Sequence, residues 1–119
     1  MYSLTLGDWV YTIGNYAFAG CSSLTSITIP STVTKIGLNA FQNCNALSRV
    51  NISDIEAWCK IEFEDGKANP TFFAHDLYLN GELLTELVVP EGITKINDFA
   101  FWGCKSIVSV KLPEGITSI

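Results

Sequence analysis

Few residues in the chain could carry chemistry, and their spacing says what that chemistry would be. Cys21, Cys44 and Cys104 each stand four places after an alanine in the same five-residue motif. Placed on neighbouring strands about 4.8 Å apart, Cys21 and Cys44 could close a disulfide or share a metal. A metal needs more converging ligands than two thiols, and the sequence holds no C-x-x-C pair and no second histidine. We expect all three, with Cys59, to be buried thiols acting as small apolar side chains, and no metal or cofactor. His75 is the only histidine and adjoins Asp76. Adjacency in a loop does not orient a base, so a solvated or hydrogen-bonded loop residue is expected.

The acidic run Glu62-Phe63-Glu64-Asp65-Gly66 lacks the alternating oxygen ligands of a calcium loop and reads as a solvated edge. Asn51-Ile52-Ser53 is a glycosylation sequon, but it falls on an expected strand. Trp58 fits a core position. Trp9 and Trp102 occupy slots held elsewhere by Thr32, Gln42 or Gly92, so they should be exposed and could form a platform for stacking sugars. No nucleophile has a base at a useful spacing, and no enzyme activity is expected.

Composition narrows the partners. Among 119 residues, 12 acids face 7 bases, for a net charge of −5. Nucleic acid is excluded as a partner, because phosphate contacts need clustered Lys and Arg. Although 48% of the residues are hydrophobic, Thr, Ser, Asn or Gly breaks every apolar stretch before the ~18 residues that a membrane span requires. No membrane insertion is expected. The N-terminus, with Asp8 and no basic segment, does not look like a secretion signal.

The elements that must position these residues come from a repeat. Ala17-Phe18-Ala19-Gly20-Cys21 returns as Ala40-Phe41-Gln42-Asn43-Cys44 and as Ala100-Phe101-Trp102-Gly103-Cys104. Ile27-Thr28-Ile29-Pro30, ending at Ile36, returns as Leu87-Val88-Val89-Pro90, ending at Ile96, and as Val110-Lys111-Leu112-Pro113, ending at Ile119. The unit is 23 residues, with one unit enlarged by 14, at about 53–78. Leu24-x-x-Ile27-x-Ile29 and its equivalents alternate as a half-buried strand does, and a following proline stops three of them. Ala-Phe-x-x-Cys suits one helical turn. Gly20, Asn43 and Gly103 before the cysteine fit a left-handed helix end, and Gly14, Gly37 and Asn97 share a second slot with the same restriction.

In the enlarged unit, Ser53-Asp54-Ile55-Glu56 is a capping box and predicts a helix over 54–60 with Ile55, Trp58 and Cys59 on one face. Gly66 and Asn69-Pro70 mark a loop. Asn80-Gly81 signals a tight hairpin within Leu77–Leu83. Equally, Asn80 lies 60 residues after Gly20, so a turn in repeat register with Gly81 in the cysteine slot is open. A lone unit cannot bury enough apolar surface to fold, so neighbouring units must share one core.

The motif Ile-Gly-x-x-Ala-Phe-x-x-Cys at 13–21 and 36–44, with Ile-Pro-x-x-Val-Thr-x-Ile at 29–36, resembles the BspA-like leucine-rich repeats of bacterial and some protist surface proteins. The resemblance spans nearly the whole chain. It implies an α/β leucine-rich repeat solenoid with a parallel concave β-sheet and short convex helices or turns. It further implies a protein or glycan ligand, an adhesin-like role and a cell-surface or secreted location. An Asn ladder is not expected, because Pro30, Pro90 and Pro113 interrupt its stretch.

On that fold the outward strand positions are Thr5, Ser26, Thr28, Arg49, Asn51, Glu86, Val88, Ser109 and Lys111, a small, hydroxyl-rich row expected to form the binding face. The rival reading is a parallel β-helix enzyme acting on polysaccharide. It needs an acid cluster or a base on an exposed sheet, and a helical Ala-Phe-x-x-Cys side argues against three strands per coil. A third reading is a purely structural spacer. Residues 1–119 form one repeat domain. Neither end carries a polar cap, which predicts a piece of a longer array or end-to-end self-association.

Overall fold

The computed structural model describes residues 2–117. The close of the last repeat at Ile119 therefore lies outside the described residues. Strands β1 (Tyr2–Thr5), β3 (Leu24–Thr28), β5 (Arg49–Ile52) and β7 (Leu77–Leu79) pair side by side in parallel, in that order. Inward residues of the middle strands are fully enclosed, with Ile27 and Val50 at 0% exposure. A second sheet of two-residue strands, β2 (Thr12–Ile13), β4 (Lys35–Ile36) and β6 (Glu62–Phe63), is also parallel. Between the sheets lies one continuous core that includes Ile29, Val33, Ile36, Phe41, Ile52 and Trp58.

The expected single sheet is broken. Leu79-Asn80-Gly81-Glu82 forms the tight hairpin, Asn80 (φ 50°) and Gly81 (φ 88°) both lying in the left-handed region that such a turn demands. It returns β8 (Glu82–Leu83) antiparallel on β7 and closes that edge. The alternative of Gly81 in the cysteine slot is thereby excluded. Beyond the hairpin, β9 (Glu86–Val88) and β10 (Ser109–Lys111) pair only with each other. Val110 and Leu112, expected inside, are about half exposed, because nothing in the described chain packs over them.

Register locates the extra residues of the enlarged unit. Ser26 pairs with Arg49, an offset of 23, whereas Lys35 pairs with Glu62 and Val50 with Leu77, an offset of 27 in both. Four residues therefore enter at the helix after β5, and the remaining ten lie between Leu77 and Leu87, in the hairpin. Helix α1 is Ile55–Cys59, with Ile55, Trp58 and Cys59 buried as its spacing predicts. Its cap is Asp54 rather than Ser53. The Asp54 carboxylate accepts from the Glu56 N–H at 2.9 Å and the Ala57 N–H at 3.3 Å, which satisfies donors that a helix start leaves open. A single 3₁₀ turn (Gly66–Ala68) and helix α2 (Thr71–Ala74) follow β6.

The Ala-Phe-x-x-Cys segments are not helical. The N–H groups of Ala17, Ala19 and Cys21 return to carbonyls three residues back, while those of Tyr16, Phe18 and Gly20 donate to Leu38, Ala40 and Gln42 of the next repeat. A helix would direct every N–H along its own axis. Here alternate groups face the neighbouring unit and bond the repeats together. That alternation needs left-handed residues, found at Gly20, Asn43 and Gly103 as expected and also at Tyr16, Asn39 and Phe99. The Gly14, Gly37 and Asn97 slot, two residues earlier, does not have positive φ. Gly37 is instead needed for space, since a Cβ there would lie 2.6 Å from the Asn15 backbone nitrogen.

Candidate functional site

A groove of about 670 Å³ crosses the outward face of the β1–β7 sheet. Strand alternation sets its floor. With Leu4, Ile27, Val50 and Leu77 in register, Thr5 pairs with Thr28, Thr28 with Asn51 and Asn51 with Tyr78, while Ser26 pairs with Arg49. Arg49, Asn51 and Thr28 are half-buried and interlock. The Arg49 Nε–H donates to Asn51 Oδ1 at 2.8 Å, and Asn51 Nδ2 donates to Thr28 Oγ1 at 3.4 Å. The Arg49 guanidinium carbon sits 3.9 Å above the centre of the Tyr78 ring, a stacked cation that the ring quadrupole attracts. Among the described residues, Arg49 makes no ion pair, and neither Nη has a hydrogen-bond partner. The opposite charge at the groove is Asp8.

This assembles only part of the expected row. Thr5, Ser26, Thr28, Arg49 and Asn51 line the groove. Glu86, Val88, Ser109 and Lys111 do not; they stand exposed on the separate β9–β10 pair, where Lys111 Nζ meets Glu86 at 3.2 Å. The hairpin is the cause, because β8 occupies the β7 edge that β9 would have taken. Asp8 and Ser3 also line the groove, and Tyr78 carries the stacked Arg49; none of the three was expected there. The Leu77-Tyr78-Leu79 alternation carried a signal for Tyr78, but a constant 23-residue step hid its register. The sequon Asn51 does lie on a strand, with its amide engaged by Arg49 and Thr28.

The other candidates resolve into packing. All four cysteines are free; Cys44 and Cys59 are fully buried as expected, whereas Cys21 and Cys104 are only partly buried. By the 27-residue offset, Thr71 takes the cysteine place in the enlarged unit, where its hydroxyl lies 2.7 Å from the Trp102 carbonyl. Burial pushes the Cys59 and Cys104 thiols up to about 11, and it raises Cys44 as well. Their nucleophilic thiolate form is therefore suppressed at neutral pH. His75 ends α2 in a left-handed conformation, with Nδ1 3.1 Å from the Gly103 carbonyl. That acceptor requires the proton on Nδ1. The acidic run separates: Glu64 pairs with Lys35 at 3.1 Å, and Asp65 caps the 3₁₀ turn through the Ala68 N–H at 2.8 Å. Trp9 and Trp102 are both exposed, at 89% and 49%, and Trp102 stands edge-on to Phe99 at 5.3 Å and covers Gly66. Trp9 is in no aromatic pair among the described residues, so the two indoles do not make a platform.

The turn geometry also removes one argument against a β-helix, since the Ala-Phe-x-x-Cys side is not helical. Comparison with known proteins bears on the question directly. A leucine rich cell surface protein of Faecalibacterium prausnitzii shares the fold at TM-score 0.55 and 27% identity, over 98% of this chain and 37% of that one. This chain thus spans about a third of that protein's length. A leucine rich repeat protein of Treponema pallidum matches at TM-score 0.45 and 22% identity, over 98% of this chain and 72% of that one. A search of the curated proteins returned no match. The model of the BspA type leucine rich repeat region matches six copies, over residues 1–67 and 71–119. With parallel strands one repeat apart, a shared core and that match over nearly every residue, the chain belongs to the BspA type leucine-rich repeat family.

Proposed function

We propose that this chain is a non-enzymatic binding module of a cell-surface or secreted protein, with an adhesin-like role, and that its ligand docks in the groove on the β1–β7 sheet. In this reading the repeats stack as a solenoid and that sheet lines the concave side. The observation that carries it is the Arg49–Asn51–Thr28 chain, locked from below by Tyr78. Side chains fixed in advance lose little entropy on binding, and half-buried polar groups arranged this way favour directional contacts. Among the described residues the charged groups lining the groove are Asp8 and Arg49, a pairing suited to recognition and without the two close carboxylates of glycoside hydrolysis. The surface location draws on the Faecalibacterium protein, described as a cell surface protein.

Immobilised matrix proteins and glycans, probed with the wild type and with Thr28→Arg, test the proposal. The added side chain fills the groove and should abolish binding, while Lys60→Ala, remote on α1, should leave it unchanged. Equal binding by all three proteins would reject the groove as the docking face.

A further inference from the structure

We infer that the groove takes a sugar acid, a saccharide unit bearing a carboxylate, with Arg49 as the residue that binds the anion. This rests on the groove being the docking face. Three features of Arg49 point to an anion. Its Nε is committed to Asn51 and its plane is held on Tyr78, so the two Nη groups project as a fixed fork. Neither Nη has a partner among the described residues. No acid in the described chain pairs with it, whereas Lys35, Lys60 and Lys111 each have a carboxylate within 3.2 Å. A planar fork of two N–H groups matches a carboxylate, in charge-assisted bonds stronger than neutral ones.

The rest of the groove selects the class of ligand. Among the described residues Arg49 is the one cation lining the groove, so it engages one carboxylate of a ligand at a time. Around it stand short hydroxyl side chains, Ser3, Thr5, Ser26 and Thr28, each able to donate and accept. This density of hydroxyls suits the ring hydroxyls of a sugar. A peptide would want an aromatic or aliphatic anchor seated in an apolar pocket; here the outward strand side chains Ser26, Thr28, Arg49 and Asn51 are polar, and the apolar lining residues Leu6, Ile29, Pro30 and Ile52 include no aromatic. The chain's net charge of −5 gives an acid no long-range attraction. Recognition is left to close contact, and the salt dependence should be that of about one screened ion pair.

The test is a titration of the ¹⁵N-labelled chain with trigalacturonic acid, its neutral methyl ester and a hexa-glutamate peptide, following the Arg49 Nε and the Thr28 and Asn51 amides. Binding of the acid should shift these signals. The ester should bind at least about tenfold more weakly, as expected for loss of a hydrogen-bonded charge. Arg49→Gln should weaken the acid to the level of the ester, and Arg49→Lys should recover only part, because an ammonium keeps the charge and loses the fork. Circular dichroism checks that both variants fold. Equal binding of acid and ester, or undiminished binding by Arg49→Gln, overturns the inference and leaves the docking face standing. Tighter binding of hexa-glutamate than of trigalacturonic acid at the same residues overturns the saccharide class. Shifts confined to another surface overturn both this inference and the proposed function.

Discussion

Replacing Asn69 with alanine should cost about 3–5 kcal/mol of folding stability, a large share of the roughly 5–15 kcal/mol that a domain possesses. Asn69 is completely buried, and its amide joins the enlarged unit to the last repeat. Nδ2 donates to the Phe99 carbonyl at 2.7 Å and the Ala100 carbonyl at 3.0 Å. Oδ1 accepts from the Thr71 N–H at 2.9 Å and stands 2.7 Å from Thr71 Oγ1. That hydroxyl can turn its proton to the Trp102 carbonyl at 2.7 Å, and the Ala100 carbonyl keeps the Trp58 Nε1–H at 2.6 Å. Three bonds are therefore lost outright, at about 1 kcal/mol each; the Phe99 carbonyl keeps the Trp102 N–H at 3.1 Å, but the Thr71 N–H is stranded, which adds up to about 2 more.

Urea denaturation followed by circular dichroism should show a lower midpoint with an unchanged slope. Asn69→Asp sharpens the test, since it keeps Oδ1 but turns a second oxygen toward two carbonyls. Burial without a donor raises the folded-state pKa of that carboxyl above its unfolded value of about 3.9. The folded state then holds a proton that the unfolded state releases, so the penalty relative to wild type should grow as pH rises from 4 to 7. A cost below about 1 kcal/mol for Asn69→Ala, or a pH-independent gap for Asn69→Asp, would refute this account of the junction.

Glycine positions give a paired test: Gly37→Ala should destabilise by more than about 2 kcal/mol, because its Cβ would meet backbone at 2.6 and 2.8 Å. Gly14→Ala, with open space around it, should stay within about 0.5 kcal/mol in the same urea titration. Alkaline pH probes Cys59, whose thiol is raised from 9.0 to about 11 chiefly by burial. Its contribution is intact below pH 9 and is lost as pH rises toward 11, by up to about 3 kcal/mol at roughly 1.4 per unit; Cys59→Ala should show a correspondingly flatter stability curve over that interval. The exposed Lys111–Glu86 pair should contribute little, so Lys111→Ala should move the midpoint by no more than about 0.5 kcal/mol.

Much of the architecture was legible in the amino-acid order because repetition exposes it. Alternation at Ile27 and Ile29, recurring at Val50 and Ile52, marked the buried face of each strand, and the 23-residue offset then paired them. The left-handed slot at Gly20, Asn43 and Gly103 could be read from residue type alone, since few other residues tolerate that backbone. The same property misled at Gly37, where a glycine for conformation and a glycine for space look identical in sequence, and at Gly14, which needs neither. Only the approach of Asn15 separates them.

The site was half legible. Thr28, Arg49 and Asn51 followed from strand periodicity, which is a local property. Tyr78 and the exclusion of Glu86 and Lys111 depended on where fourteen extra residues were spent, four in α1 and ten in a hairpin. Hairpin and repeat turn call for the same Asn-Gly, so local preference left the two balanced. Competition for one strand edge broke the tie: once β8 closes on β7, β9 has no place there. Asn69 makes the same point from the interior. By itself it reads as a loop residue before proline, and its importance exists only because the fold brings carbonyls thirty residues distant within reach of its amide.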